Sequence, residues 1–157
     1  MSREFKNIDA ELKSDLETQF GQKVEVVNTR PHRLFVTIDR DNLVEVIQYL
    51  KEKHGLTYLS TITGLDAVEH FEVIYHLFLD GAQINVKAII PTDDPRIASV
   101  TPMLPIANWY EKEVSEMLGI TIEGHPNPEG YMQLPEDWPE GEYPLRKNWP
   151  AKERGVR

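Results

Sequence analysis

The chain has 157 residues, 40% of them apolar, a formal net charge of −9 and no cysteine. That length suits one domain with a core of its own plus an extension, and the acidic balance counts against nucleic acid as a ligand of the body. The lack of cysteine excludes disulfides, thiolate nucleophiles, Cys-ligated zinc and cysteine-held iron–sulfur clusters.

Residues 1–20 are charged throughout and carry no apolar core of the kind a signal peptide needs. No apolar run approaches the roughly 18–20 residues that span a bilayer. The expectation is a soluble chain with any membrane link made through a partner.

Phe5, Ile8, Leu12, Leu16 and Phe20 recur at helical spacing before Gly21, which predicts an amphipathic helix over 8–20. Two short β-rich runs, 24–28 and 34–38, flank Thr29-Arg30-Pro31-His32 and predict a hairpin. Leu43, Val46, Ile47 and Leu50 give one apolar face to a second helix over about 41–53, with Asp39 or Asp41 as its cap and His54-Gly55 as its end.

Three β-like segments follow, at 56–62, 71–79 and 82–90. Asp80-Gly81 between the last two is a tight-turn signal. Phe71, Val73, Tyr75, Leu77 and Leu79 share one parity, as do Ile84, Val86, Ala88 and Ile90. That alternation predicts an antiparallel sheet with one covered face. Residues 91–95 form a loop, and Pro102 and Pro105 introduce a last helix over 105–118. The fold class expected is α+β: a mostly antiparallel sheet, two to three packed helices and an extended C-terminal tail. Residues 1–122 make the domain, and 123–157 make a Pro/Trp-rich tail that docks on a partner subunit.

On a helical wheel, Ile106, Trp109, Tyr110, Val114 and Met117 cluster on one face of the last helix, with Leu118 at its edge. Glu113 falls near the middle of this face, with Glu111 projecting away and Glu116 at the margin. A carboxylate in an apolar stripe is costly unless paired. Pairing within the chain is the ordinary outcome. The sharper alternative is a second protein that supplies the cation. Acid–base catalysis lacks a companion acid, nucleophile or metal set.

The histidines are His32, His54, His70, His76 and His125, and none forms the HExxH spacing of a zinc protease. His70 and His76 share a strand parity with Glu72 between them, so a stand-alone metal-dependent enzyme is one alternative reading; a solvated strand face is the plainer one. No phosphate-cradling glycine loop and no GxSxG elbow occurs. Trp109, Trp138 and Trp149 all lie in the last third. The tail tryptophans either pack on this domain or anchor in another protein. Residues 142–157 hold Arg146, Lys147, Lys152, Arg154 and Arg157 against Glu142 and Glu153, so this segment is +3 and the remainder −12. A basic tail on an acidic body can fold back or reach an acidic neighbour.

Residues 111–120 (EKEVSEMLGI), then Glu123-Gly124-His125-Pro126, then 134–138 (LPEDW), then Pro144-Leu145-Arg146-Lys147 resemble the 30-kDa subunit family of respiratory complex I. The same module occurs in membrane-bound, energy-converting [NiFe]-hydrogenases. The pieces run from Trp109 to Lys147 in the order of the family. Lys112 stands where the family usually has arginine, and Asn148 where an acidic residue is usual. Leu118 replaces a common phenylalanine, and 127–130 replace an arginine pair. These departures point to the hydrogenase-like or archaeal branch.

The resemblance implies a non-catalytic peripheral subunit of a membrane-associated redox complex, group 4 hydrogenase-like or complex I-like. Such a complex couples electron transfer to ion translocation. The alternative within the family is a subunit of an NADH- or other donor:quinone oxidoreductase. The resemblance also implies no cofactor in this chain, with iron–sulfur clusters and a NiFe centre belonging to partner subunits. The partners are a large hydrogenase-like subunit and neighbouring iron–sulfur subunits, and the location is the cytoplasmic face of the cell membrane. Glu111, Glu113, Glu116, Gly119, Gly124, His125, Pro126, Trp138, Pro144, Leu145, Arg146 and Lys147 are the motif and partner-interface positions. The glutamates are expected to pair with cations, and 144–147 to lie at the partner surface. Arg146→Glu is accordingly expected to weaken assembly while barely changing the isolated domain.

Overall fold

A computed structural model describes residues 8–150. Phe5 and the basic residues Lys152, Arg154 and Arg157, which entered the sequence reading, lie outside the described residues.

Helix α1 spans Ile8–Phe20 and buries Leu12, Leu16 and Phe20, one apolar residue per turn. β1 (Val24–Arg30) and β2 (Arg33–Asp39) form the predicted hairpin, turning through Pro31-His32 with His32 at φ 61°. A 3-10 turn over Arg40–Asn42 then leads into α2 (Leu43–His54). Neither Asp39 nor Asp41 caps that helix: the residue before it, Asn42, is already in helical conformation and makes no side-chain cap bond. The 3-10 turn supplies the entry geometry instead. At the other end Gly55, at φ 70°, donates its N–H to the Lys51 carbonyl and Leu56 donates to the Leu50 carbonyl, so the helix ends at the predicted His54-Gly55 pair.

β3 (Tyr58–Asp66), β4 (His70–Leu79) and β5 (Ala82–Pro91) complete a five-stranded sheet in the order β1-β2-β5-β4-β3. The sequence places β3 two residues early and ends it four residues short, and the strand runs on through Gly64. Gly64 is tolerated for a packing reason. A Cβ there would meet Leu118 Cδ1 at 2.5 Å and Val114 Cγ1 at 3.2 Å. The glycine lets the last helix sit directly on the strand. Asp80-Gly81 makes the tight turn between β4 and β5, with both residues at positive φ. All pairings in this sheet are antiparallel except β2 with β5, which are parallel. That pairing inserts the first hairpin beside β5, a long-range choice that no local pattern announces.

One sheet face carries Phe71, Val73, Tyr75 and Leu77 of β4 with Ile84, Val86, Ala88 and Ile90 of β5, all buried. The helices cover it. The opposite face is half-exposed and includes Ile74, His76, Phe78 and Lys87. β6 (Arg96–Ala98) and β7 (Thr121–Glu123) form a small parallel pair, so residues 96–98 and 121–123 bracket the last helix, α3 (Ala107–Leu118). The architecture is the α+β class expected.

Candidate functional site

The signature residues gather where α3, the end of β3 and the described part of the tail meet. α3 begins at Ala107, two residues later than its proline signal implies, and ends at Gly119 in the left-handed conformation, φ 68°. Its buried residues are Ala107, Glu111, Val114 and Leu118, at i, i+4, i+7 and i+11. This corrects the expected placement of Glu111 as projecting away from the apolar face. Ile106 and Trp109 are exposed, at 49% and 61%, while Glu111 is 1% exposed. Two apolar stripes lie about 100° apart on this helix, and the composition of α3 alone does not choose between them. Packing against Gly64 selects the stripe with smaller side chains.

Glu111 is thus the buried carboxylate, and its partners are not cations. Ser99 Oγ and Thr101 Oγ1 donate to Oε2 at 2.6 and 2.8 Å, and the Val100 N–H donates to Oε1 at 2.6 Å. Three donors from the loop after β6 replace the cation that was expected. Glu111 also lies near Tyr75, a buried side chain whose hydroxyl has no partner among the described residues. Burial pushes the Tyr75 hydroxyl well above its ordinary value, and the Glu111 charge adds to that.

Glu116 plays a second structural part. Its carboxylate accepts the backbone N–H groups of Met132, Gln133 and Leu134 at 3.0, 2.8 and 3.2 Å. This ties the tail's loop to α3. Lys112 Nζ donates to the Glu129 carbonyl at 2.6 Å, so the lysine found where the family usually has arginine also holds the tail. His125 is buried, donating through Nε2 to the Asn108 carbonyl at 2.9 Å, while its Nδ1 accepts the Asn127 N–H at 3.1 Å. That pair of bonds fixes the tautomer with the proton on Nε2.

Arg146 closes the assembly. Its Nε donates to the Leu118 carbonyl at 2.6 Å and a terminal nitrogen to the Gly119 carbonyl at 3.3 Å. These are carbonyls left open at the end of α3, and a cation suits that end of a helix. The guanidinium carbon lies 5.0 Å from the Phe71 ring centre and 4.6 Å from that of Tyr143. Leu145 N–H donates to Met117 O at 3.1 Å, and Lys147 N–H to Asp66 Oδ2 at 2.8 Å. Asp66 also accepts the Val68 N–H at 2.8 Å. The Lys147 amide is the largest influence holding the Asp66 carboxyl below its ordinary value. Gly119 has a packing role as well: a Cβ there would lie 2.3 Å from the Tyr143 ring.

The two tail tryptophans meet each other. Trp138 and Trp149 have ring centres 5.7 Å apart, and both indole N–H groups donate to Glu142, one to its carbonyl and one to its carboxylate. Gly124 and Pro126 are exposed around buried His125, and Pro144 is half-buried before Leu145, which is 56% exposed. Glu113 is half-exposed and, unlike Glu111 and Glu116, has no hydrogen bond or ion pair among the described residues.

The histidine alternative meets a geometric obstacle. His70 and His76 share the open face of β4, but six residues of extended strand separate them by about 20 Å. His70 Nε2 faces Glu72 at 3.2 Å, whereas His76 is bonded to Thr63 at 2.9 Å and Asn85 at 2.7 Å. The two rings cannot share an ion. Sequence reasoning missed Ser99 and Thr101 and placed Asp66 beside the histidine strand rather than under the tail, because these parts depend on distant segments meeting. It found Glu111 but gave it the wrong face.

Among the described residues no helix is long and apolar enough to cross a membrane. The model of the family described as "Respiratory-chain NADH dehydrogenase, 30 Kd subunit" matches residues 36–155. The chain is 36% identical over 138 residues to hydrogenase-4 component G of Escherichia coli K12, covering 83% of this chain and 24% of that protein. It is also 36% identical over 161 residues to the C/D subunit of NADH-quinone oxidoreductase of Proteus mirabilis HI4320, covering 93% and 26%. The chain therefore spans about a quarter of the length of these curated relatives. Among solved structures it resembles a chain of the membrane-bound sulfane sulfur reductase, an archaeal respiratory membrane complex. The TM-score there is 0.79 at 25% identity, over 89% of this chain and 84% of that one. A trypsin-resistant fragment of Nqo5 gives a TM-score of 0.65 at 29% identity, over 74% and 98%. The matched span, the relatives and the ordered motif pieces agree: the chain belongs to the 30 Kd subunit family of the respiratory-chain NADH dehydrogenase.

Proposed function

We propose that this chain is a non-catalytic peripheral subunit of a membrane-associated redox complex, hydrogenase-like of group 4 or complex I-like. It scaffolds a large catalytic-type subunit within a machine that couples electron transfer to ion translocation. The observation that carries this reading is the use made of the signature charges. Glu111, Glu116 and Arg146 have bonding capacity filled by backbone groups and hydroxyls of this same chain. Groups so engaged are suited to holding a surface rigid rather than to exchanging protons or electrons. The result is a tail clamped to the body with Leu145 and Lys147 exposed, a shape fit to receive a neighbour.

The names of the relatives support the setting. One is called a C/D subunit, and the module occupies about a quarter of it. A module joined to a larger body in one polypeptide is expected to work in contact with that body when separate. The large hydrogenase-like subunit is the proposed neighbour. It and adjoining iron–sulfur subunits carry the clusters, and in the hydrogenase branch the NiFe centre. This chain carries no cofactor and reaches the cytoplasmic face of the membrane through its partners.

Affinity purification from native membranes in mild detergent, with mass spectrometry and metal analysis, tests the proposal. A large cysteine-bearing subunit, iron and membrane subunits are expected with the chain. Nickel in the large subunit selects the hydrogenase branch, and iron without nickel favours the dehydrogenase or another nickel-free relative. Recovery of the chain alone, even after crosslinking, refutes the proposal.

A further inference from the structure

The outward stripe of α3 consists of Ile106, Trp109, Glu113 and Met117, with half-buried Tyr110 at its inner edge, along about 16 Å of helix. It is the bulkier of the helix's two apolar stripes, yet it is the one left outside. Trp109 and Ile106 are 61% and 49% exposed. A tryptophan flanked by aliphatic side chains on a rigid helix is the composition of an interface anchor. Glu113 lies in the middle of this stripe, half-exposed, without a hydrogen bond or ion pair among the described residues.

The contrast with its neighbours is informative. Glu111 and Glu116, two and three residues away, each accept three donors from this chain. Lys112, the adjacent cation, is turned to the Glu129 carbonyl. An apolar partner surface covering Trp109 and Ile106 would also cover Glu113. A carboxylate desolvated there requires a cation from the partner. Arginine fits best, because its planar guanidinium can bond the carboxylate and lie against the Trp109 ring together.

Resting on the assembly role proposed above, we infer that this stripe of α3 docks a segment of another subunit, and that the segment presents an arginine to Glu113 between apolar side chains. The clamped tail and this stripe are then two separate surfaces, and Glu113 belongs to the second.

Glu113→Arg, Glu113→Gln and Trp109→Ala, with Glu25→Arg as an exposed-charge control on β1, test this in the membrane assembly. Thermal melting of each isolated chain should match wild type, because neither side chain supports the core. Recovery of the assembly is expected to fall about tenfold for Glu113→Arg and about fivefold for Trp109→Ala, with the control unchanged. Glu113→Gln should fall between and lose the wild type's dependence on salt. A wild type that recovers partners while all three variants recover them equally overturns the inference and leaves the assembly role standing. A wild type that recovers no partner overturns both. If the stripe instead holds together two copies of this chain, sedimentation of the wild type alone will show a dimer that Glu113→Arg dissolves. That outcome also overturns the proposed occupant.

Discussion

Glu111 and Tyr75 show how burial converts one side chain into a structural requirement and another into a cost. Glu111 is 1% exposed, and its three donors all come from residues 99–101. Glu111→Ala leaves those donors buried without an acceptor, and is expected to destabilise the fold by about 3–5 kcal/mol. Denaturant unfolding of the isolated chain measures this, and a loss under about 1 kcal/mol would contradict the geometry. Tyr75 is the reverse case. Its hydroxyl is buried with no partner among the described residues, beside the Glu111 charge. Tyr75→Phe removes an unsatisfied group and keeps the ring. It is expected to raise stability by about 0.5–1 kcal/mol, and a lower melting temperature would sink the expectation. The sequence displays both residues, but only the fold places one beside the other.

At the scale of elements, the tail is held by backbone contacts to α3 and to the end of β3, not by burial of a large apolar area. Glu116 holds residues 132–134, Arg146 holds the end of α3, and Asp66 holds the Lys147 amide. The expectation that Arg146→Glu leaves the isolated domain almost unchanged is therefore revised. A carboxylate at that position faces the carbonyls of Leu118 and Gly119 and the faces of two rings, which repel it. Amide exchange of residues 143–149 is expected to accelerate about tenfold or more in this variant while the sheet stays protected. Acid should act on the same segment. The folded chain holds the Asp66 carboxyl below its ordinary value, first through the Lys147 amide. Its contribution is complete above the ordinary aspartate pKa of about 3.9 and is lost as pH falls through the depressed folded value. Exchange of the Lys147 amide, corrected for intrinsic rates, should rise over that acid range and not between neutral pH and about pH 5. Asp66→Asn should remove the dependence; if it persists, another group controls the tail.

At the scale of the whole molecule, strand order and helix faces have different legibility. The hairpins and α1 follow from periods of 2 and 3.6 and from turn residues such as Asp80-Gly81, all local properties. The parallel pairing of β2 with β5 joins segments about fifty residues apart, and the paired residues carry no mark of each other. The two stripes of α3 make the same point. Ile106 and Trp109 are bulkier than Ala107, and pattern alone does not say which stripe the fold buries. The choice belongs to Gly64, whose missing Cβ admits Val114 and Leu118 against β3. The bulkier stripe, with Ile106 and Trp109, is left outside as a result.

The amino-acid sequence by itself determined the α+β class, the absence of thiolate chemistry and the ordered motif pieces from Trp109 to Lys147, because these depend on composition, short periods and linear order. Tertiary structure alone decided that Glu111 is the buried glutamate, that Arg146 binds its own chain and that Glu113 is left facing outward. Each of those outcomes depends on which distant backbone groups arrive within hydrogen-bond reach, and linear order does not encode that distance.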